Sequence, residues 1–368
     1  MYSPLDLFQK FFTKATVRTL CDNTNRQAAR NICRGKKFKW IDITMKELYK
    51  FIGLVLFTAL IKTRTISDYW ITNSIFSIPF PATVMNRDRY RIISWNIHMS
   101  DPDEDAVNDR KKGTPEYDRL FRLKPLMNDI RHACMSCFHP HRNLAVDERM
   151  VASKAINGLI EYIKSKPTKY GFKIFVLADS SNGYTVDYAV YMGKNVFPIG
   201  FGMSYDAVSI ETQSKPKNTG HTPVPIKSVA DKSKRSSAGR RRCEFCKKSG
   251  RSDKDTPWKC NECGVALCVI PDRNCFHDWH NLEGMAPELI SCYSANRKTF
   301  KRYSSLFFNF VDIATTNSFL IHKDLCKGNK IQPMPHKDLM EKLTAQLCEV
   351  PLEIHTRRGK IGHTHPYQ

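Results

Sequence analysis

Three sets of residues in this chain have the types and spacing to do chemistry. The first is a cluster of soft metal ligands. Cys243-x2-Cys246, Cys260-x2-Cys263, Cys268, Cys275 and His280 fall within 38 residues, with His277 as a possible eighth ligand. Two Cys-x2-Cys knuckles 13 residues apart can converge on one Zn²⁺, for which thiolates are preferred ligands. The further Cys/Cys/His set suggests a second ion with interleaved ligand pairs, and so small a unit needs its metal to fold. The second set is the acidic pair Asp147-Glu148, at the end of a short apolar run from Asn143 to Val146. A strand that delivers a carboxylate suits a metal-dependent nuclease; the same spacing also fits an ordinary sheet with a surface acidic pair. The third set is basic. The candidate DNA contacts are Arg87, Arg89 and Arg91; Lys164, Lys166 and Lys169; Arg240, Arg241 and Arg242; and Arg297, Lys298, Lys301 and Arg302.

The elements that must position these groups follow from periodicity. After the Asp147 strand, residues 171–179 are β-rich and residues 184–192 alternate as a strand should. Ser181-Asn182-Gly183 between them tolerates positive φ, so the two should form a hairpin. Upstream the pattern is helical. Ser3-Pro4 should cap a helix through about Leu20. Thr44 and Glu47 form a capping-box start for the apolar run to Ile61. Thr65 to Trp70 begins another helix, and Met85 to Trp95 reads as a basic amphipathic helix. The acidic-then-basic stretch Asp101 to Lys112 reads as a loop, and Tyr117 to Phe138 as helix. Cys134-x2-Cys137, with His132, His139 and His141 nearby, lacks a second cysteine pair and reads as buried thiols rather than a metal site.

The chain has 368 residues, with Lys+Arg 58 against Asp+Glu 36, a net charge of +22. That excess favours a polyanionic partner, with nucleic acid ahead of a membrane surface. No lipidation signal or basic amphipathic membrane helix is evident. The N-terminus lacks the apolar stretch of a signal peptide, and the longest apolar run, residues 51–61, is too short to span a bilayer. Thirteen cysteines without a secretory signal argue for reduced, metal-binding thiols over a disulfide framework. Residues 211–242, rich in Ser, Pro, Lys and Arg, should be a flexible linker, and its basic end suits either nuclear import or DNA binding.

The segment Val146-Asp147-Glu148, with KPTKYGFKIFVLAD (166–179) and YTVDYAVYMGK (184–194) after it, resembles the catalytic core of piggyBac-type transposases and the domesticated proteins derived from them. The cysteine cluster resembles the family's C-terminal zinc module, down to Cys263-Gly-Val-Ala-Leu-Cys268, Cys275-Phe276 and Trp279-His280. Residues 289–320 resemble its final core helices. The resemblance implies a mixed α/β (α+β) fold. Its expected parts are a helical DNA-binding and dimerisation domain (1–140), the first part of a ribonuclease H-like core (141–206), a basic linker (207–242), the zinc module (243–280), core-type helices (281–350) and a tail (351–368). The order departs from the family, in which the module closes the chain. Gly362-His363-Thr364 also repeats Gly220-His221-Thr222, as a rearranged or mis-joined copy would.

The resemblance also implies three catalytic carboxylates holding two Mg²⁺ ions. Asp147 matches the first. The second belongs in an apolar strand for which no segment is found, and Gly284 and Pro287 stand where further aspartates are expected. One carboxylate cannot place two hard cations. Asp179, Asp187, Asp206 and Glu288 are the available substitutes. The expected function is nuclear DNA binding by a transposase-derived protein that has lost cleavage. An active or partner-complemented transposase and a zinc-dependent chromatin-interaction module are the alternatives. Expected partners are DNA, a second copy of the chain and chromatin proteins, with no membrane.

Overall fold

The fold is anchored by a strand apolar on both faces. In the computed structural model, which describes residues 2–72, 74–155, 158–164, 166–193, 223–226, 240–248, 255–260, 265–270, 273–276, 294 and 303–351, residues 171–176 of this strand are all buried. This strand is β3 (Tyr170–Asp179) of a four-stranded antiparallel sheet. Strand β1 (Leu144–Ala152) runs along one edge of β3 over its whole length, from Leu144↔Asp179 to Ala152↔Gly171. The short β2 (Ile160–Tyr162) and β4 (Thr185–Val190) share the other edge. The β3–β4 hairpin turns at Gly183, φ +82°, the left-handed conformation that glycine adopts without strain. Among the described residues no strand pairs with the outer edge of β1, so the sheet is open.

Helices precede the sheet. Ser3 caps α1 (Pro4–Phe8) in a reciprocal box with Asp6, and Thr13 starts a second helix, α2 (Lys14–Cys33). The single helix expected to about Leu20 is therefore two, because the Thr13 side chain caps a new N-terminus. α3 (Met45–Leu60) begins at Thr44 as expected, with the Thr44 hydroxyl accepting from Glu47 N at 3.2 Å. Residues 66–70 form a 3-10 turn rather than an α-helix. α4 (Pro79–Val84) and α5 (Arg87–Asn96) follow. The stretch expected to be a loop after Asp101 contains α6 (Pro102–Arg110): Asp101 caps it, proline takes the first turn, and Asp103, Glu104 and Asp105 complement the helix dipole. α7 (Lys124–Ser136) is shorter than expected, with turns in place of its first residues.

Between the sheet and the last helices lie β5 (Pro223–Pro225), β6 (Arg241–Arg242), α8 (Glu244–Lys248), β7 (Asp255–Thr256) and β8 (Trp258–Cys260). β5 pairs with β8, and β6 with β7. Arg241 and Arg242, expected at the end of a flexible linker, are thus strand residues beside the cysteine cluster. The chain then returns as α9 (Ser304–Gly328) and α10 (His336–Cys348).

The main hydrophobic core takes residues from helices near both ends of the chain. Phe307 of α9 lies 6.5 Å from Phe12 and from Phe51, and Leu5 N donates to Gln346 Oε1 of α10 at 3.0 Å. On the sheet, the Asn317 amide of α9 bonds both the N–H (3.0 Å) and the C=O (2.9 Å) of Thr185, standing in for a neighbouring strand at the start of β4. α7 is fixed to β4 by Arg131, bidentate to Asp187 at 2.7 and 2.9 Å, and by Tyr188 Oη donating to Met127 O. Cys134 is buried in this packing and accepts from Asn317 Nδ2 at 3.3 Å, as a core thiol does.

α10 crosses α3 at Gly53. A Cβ there would meet Cys348 Sγ at 2.5 Å, Leu347 Cβ at 3.1 Å and Thr344 O at 3.3 Å. Alanine gains ~1 kcal/mol of helix propensity over glycine, but overpacking a filled crossing costs about 1–3 kcal/mol. Gly53→Ala should therefore lower stability in a denaturant melt, and the loss should shrink in a Cys348→Ala background. A stabilised Gly53→Ala would show that the helices are not so closely apposed.

His336, at the start of α10, stacks on Phe319 at 4.5 Å, and burial pushes its pKa down to about 4. An unfolded histidine titrates near about 6.5. Between those values the unfolded chain binds the extra proton, so this contribution is complete above the upper value and lost as pH falls towards the lower. Melts from pH 7 to 4 should show a decline in stability that His336→Phe makes shallower; an unchanged slope in the variant contradicts the assignment.

Candidate functional site

Asp147 lies in the middle of β1, opposite Val176, and not at a strand end as the apolar run suggested. The strand continues because β3 offers it a partner as far as Gly171. Alternation sends Asp147, Arg149 and Val151 to one face, which they share with the core residues Val176, Ile174 and Phe172. Glu148 takes the other face and pairs with Lys173 at 2.7 Å, whose ammonium lies over the rings of Phe175 and Tyr191. The acidic pair is therefore split by the sheet, and one carboxylate only can face a site beside α9. On α9, buried Asp312 accepts from Ser294 Oγ at 2.6 Å. Burial lowers the pKa of the Arg149 guanidinium, with Asp312 and then Asp147 acting against that shift, and its Nη1 is buried without a hydrogen-bond partner among the described residues.

The substitutes for the expected carboxylates are otherwise engaged. Both Asp187 oxygens are held by Arg131. Asp179 accepts from His141 N (2.6 Å), Ser181 N (2.8 Å) and Ser181 Oγ (2.6 Å), and lies 2.8 Å from His141 Nδ1. Burial opposes ionisation there, but these hydrogen bonds prevail and hold its carboxyl below the usual range. Asp206, Gly284, Pro287 and Glu288 lie outside the described residues. Among the described residues, no group of three carboxylate, histidine or cysteine ligands converges on Asp147.

Such a group does form in the cysteine cluster. The Sγ atoms of Cys243, Cys246, Cys268 and Cys275 all lie within 4.8 Å of one another, all four residues buried, with Cys246 and Cys275 at 3.5 Å. Sulfurs of a tetrahedral Zn²⁺ site at ~2.3 Å from the metal are about 3.8 Å apart, so the donors and their spacing fit a tetrahedral thiolate metal. Burial opposes ionisation of Cys243, but backbone N–H groups of Cys246 and Cys268 prevail and hold its thiol below the ordinary value. Burial and the neighbouring Cys243 push Cys268 up to about 11. Burial and Cys246 raise Cys275.

In the four-sulfur group the first knuckle is joined by Cys268 and Cys275, an arrangement in which ligand pairs from the two sets mix. Local pairing is the cause. Cys260 N donates to Val265 O and Leu267 N to Trp258 O, so the chain reverses after β8 and carries Cys268 back towards α8. Cys260 is buried at the end of β8 outside the four-sulfur group. Cys263, His277 and His280 lie outside the described residues.

The basic candidates divide. Arg89 is not available to a phosphate: its guanidinium is bidentate to Glu47 (2.6 and 2.7 Å), donates to Ile41 O (2.8 Å) and stacks on Trp40. Glu47 thus answers Arg89 instead of closing the capping box at Thr44. Arg87 and Arg91 flank Asp88 on the exposed side of α5. Lys164 and Lys169 are exposed, while Lys166 Nζ donates to Glu148 O at 3.3 Å. Arg240, Arg241 and Arg242 are exposed beside the cysteine cluster. Arg297, Lys298, Lys301 and Arg302 lie outside the described residues.

The open antiparallel sheet, buttressed by helices from both ends of the chain, is similar to the fold of a transposase. The cryo-EM structure of a piggyBac transposase synaptic complex with hairpin DNA has the same fold: TM-score 0.70 and 19% identity, over 95% of this chain and 80% of that one. The family model described as Transposase IS4 matches residues 3–199, and the chain belongs to this family in its piggyBac-type branch. Human PiggyBac transposable element-derived protein 3 is 22% identical over 195 residues, 53% of this chain and 30% of that protein. Human PiggyBac transposable element-derived protein 2 is 25% identical over 189 residues, 50% of this chain and 28% of that protein. The matched region thus spans less than a third of either relative. Among the described residues, no helix is long and apolar enough to cross a membrane.

Proposed function

We propose that this protein is a transposase-derived nuclear DNA-binding protein that does not cleave DNA. The observation that carries the reading is that, among the described residues, no set of carboxylates such as two divalent ions require converges on Asp147, Asp179 and Asp187 being committed to His141, Ser181 and Arg131. The net charge of +22 and the DNA in the related transposase complex support a nucleic-acid partner. Zn²⁺ is the metal the four thiolates suit best, and Cys260, Cys263, His277 and His280 are enough ligands for a second ion. Arg240–Arg242 supply a basic run for nuclear import. Self-association as a homodimer follows from the family resemblance.

Purified protein should bind duplex DNA with an affinity that falls steeply between about 50 and 200 mM salt. It should leave labelled DNA intact with Mg²⁺ or Mn²⁺. A flat salt response removes the DNA-binding reading. Nicking that disappears in Asp147→Ala establishes instead an active transposase with recruited carboxylates. The rival chromatin-reading role predicts histone binding that is lost, with DNA binding retained, when Cys268 is replaced by serine.

A further inference from the structure

We propose that the turn after α2 and the outer stripe of α5 together form an interface for the phosphate backbone of duplex DNA, an inference that rests on the DNA-binding reading above. The turn is Arg34-Gly35-Lys36-Lys37-Phe38-Lys39-Trp40, cations interleaved with aromatics. α2 stops because Gly35 adopts φ +83°; its N–H returns to Ile32 O at 2.9 Å and that of Lys36 to Asn31 O at 3.0 Å. Lys36, Lys37 and Lys39 are then exposed, and none forms an ion pair among the described residues.

The turn is held in place, which separates it from an ordinary solvated loop. Trp40 stacks under the Arg89 guanidinium at 4.8 Å, and Phe38 meets Trp40 edge-on at 6.4 Å. At the other end Asn31 Nδ2 donates to Asn96 Oδ1 at 2.8 Å. These tethers reach α5 at positions 89 and 96, about 10 Å apart along the helix. Arg87, Arg91 and Trp95 recur at i+4 spacing on its exposed side, with Arg91 over the Trp95 ring at 4.9 Å and Trp95 52% exposed. The opposing charges are Asp88, which pairs with Arg87 (3.3 Å) and Arg91 (3.8 Å), and exposed Asp42 just beyond the turn. Four turn cations and two helix cations therefore face two carboxylates. The surface has positive charge along a tethered edge, which is the chemistry of backbone recognition.

The test uses the full chain and a duplex of random sequence. Lys36→Gln, Lys37→Gln and Lys39→Gln together remove three exposed charges that form no ion pair among the described residues, so the fold should hold, as a thermal melt will check. A control removes three exposed lysines elsewhere: Lys327→Gln, Lys337→Gln and Lys342→Gln. We expect the turn variant to bind on the order of tenfold more weakly at low salt, and its slope of log K against log salt to be shallower by about 1 for each phosphate that is no longer neutralised. The control should match the parent. Equal binding by turn variant and parent overturns the interface while leaving the DNA-binding reading intact. Equal weakening in both variants reduces the effect to net charge and also overturns it. Absence of binding by the parent removes the underlying reading as well. Poly-glutamate that displaces the duplex at equal charge concentration, an effect abolished in the turn variant, reassigns the surface to an acidic protein.

Discussion

Stripping the metal with a strong chelator should unfold the region around Cys243 to Phe276 and leave the helical core and its sheet folded. The expectation follows from what else holds that region together. Among the described residues its buried cluster consists of the four cysteines and Leu267, with Phe245, Val265 and Phe276 packed against them. Its described strands are two or three residues long. Burial of so few apolar groups cannot offset the ordering of the chain, whereas structural Zn²⁺ contributes on the order of 10–16 kcal/mol in small zinc-finger units. The main core contains none of these cysteines. Limited proteolysis with and without chelator, read by mass spectrometry, should show new cuts confined to this region, while the main thermal transition stays in place. A metal assay should find the ion missing from Cys268→Ser. Binding must displace thiol protons, Cys268 among them with its value pushed up to about 11, so affinity should fall as pH falls. Unchanged protease resistance after complete metal removal would show that the thiols are merely packed.

Asp187→Ala should cost about 3–5 kcal/mol, because it strands the Arg131 guanidinium inside the α7–β4 interface. The side chains of Arg131 and Asp187 are only 11% and 4% exposed, and Asp187 Oδ1 also accepts from Tyr188 N at 2.8 Å. For a domain of this size the melting temperature should drop by roughly 6–20 °C. The double variant Arg131→Met, Asp187→Leu should recover much of the loss, since replacing a buried pair by apolar groups of similar volume is often neutral. The same pair of measurements decides whether Asp187 is structural or recruited to metal chemistry. A melt within ~0.5 kcal/mol of the parent would mean that the pair does not stabilise the interface and that Asp187 is open to another role.

Local signals were legible wherever the deciding partners were near in sequence. Thr44 capped α3 through the Glu47 N–H, although the Glu47 carboxylate went to Arg89 and left the capping box unclosed, and Asn182-Gly183 turned the hairpin. The Cys-x2-Cys pattern marked a metal-binding unit. Asp101-Pro102 with its acidic first turn was an equally local signal for α6, obscured by the polarity of the segment. The family resemblance, carried by residues 146–194, implied the mixed α/β fold.

The remaining assignments depended on partners far along the chain. Whether Arg89 met phosphate or protein rested on Glu47 and Trp40, some forty residues away. The length of β1 was set by β3, which pairs with it from Leu144↔Asp179 to Ala152↔Gly171. The closure of α10 over Gly53 joins residues almost three hundred positions apart. Sequence by itself determined which groups this protein has for binding metal and polyanion, since residue type and short spacing fix chemistry and local helix or turn geometry. Tertiary structure alone decided which of them meet, because burial and ion pairing are settled by whichever distant side chain occupies the adjoining space.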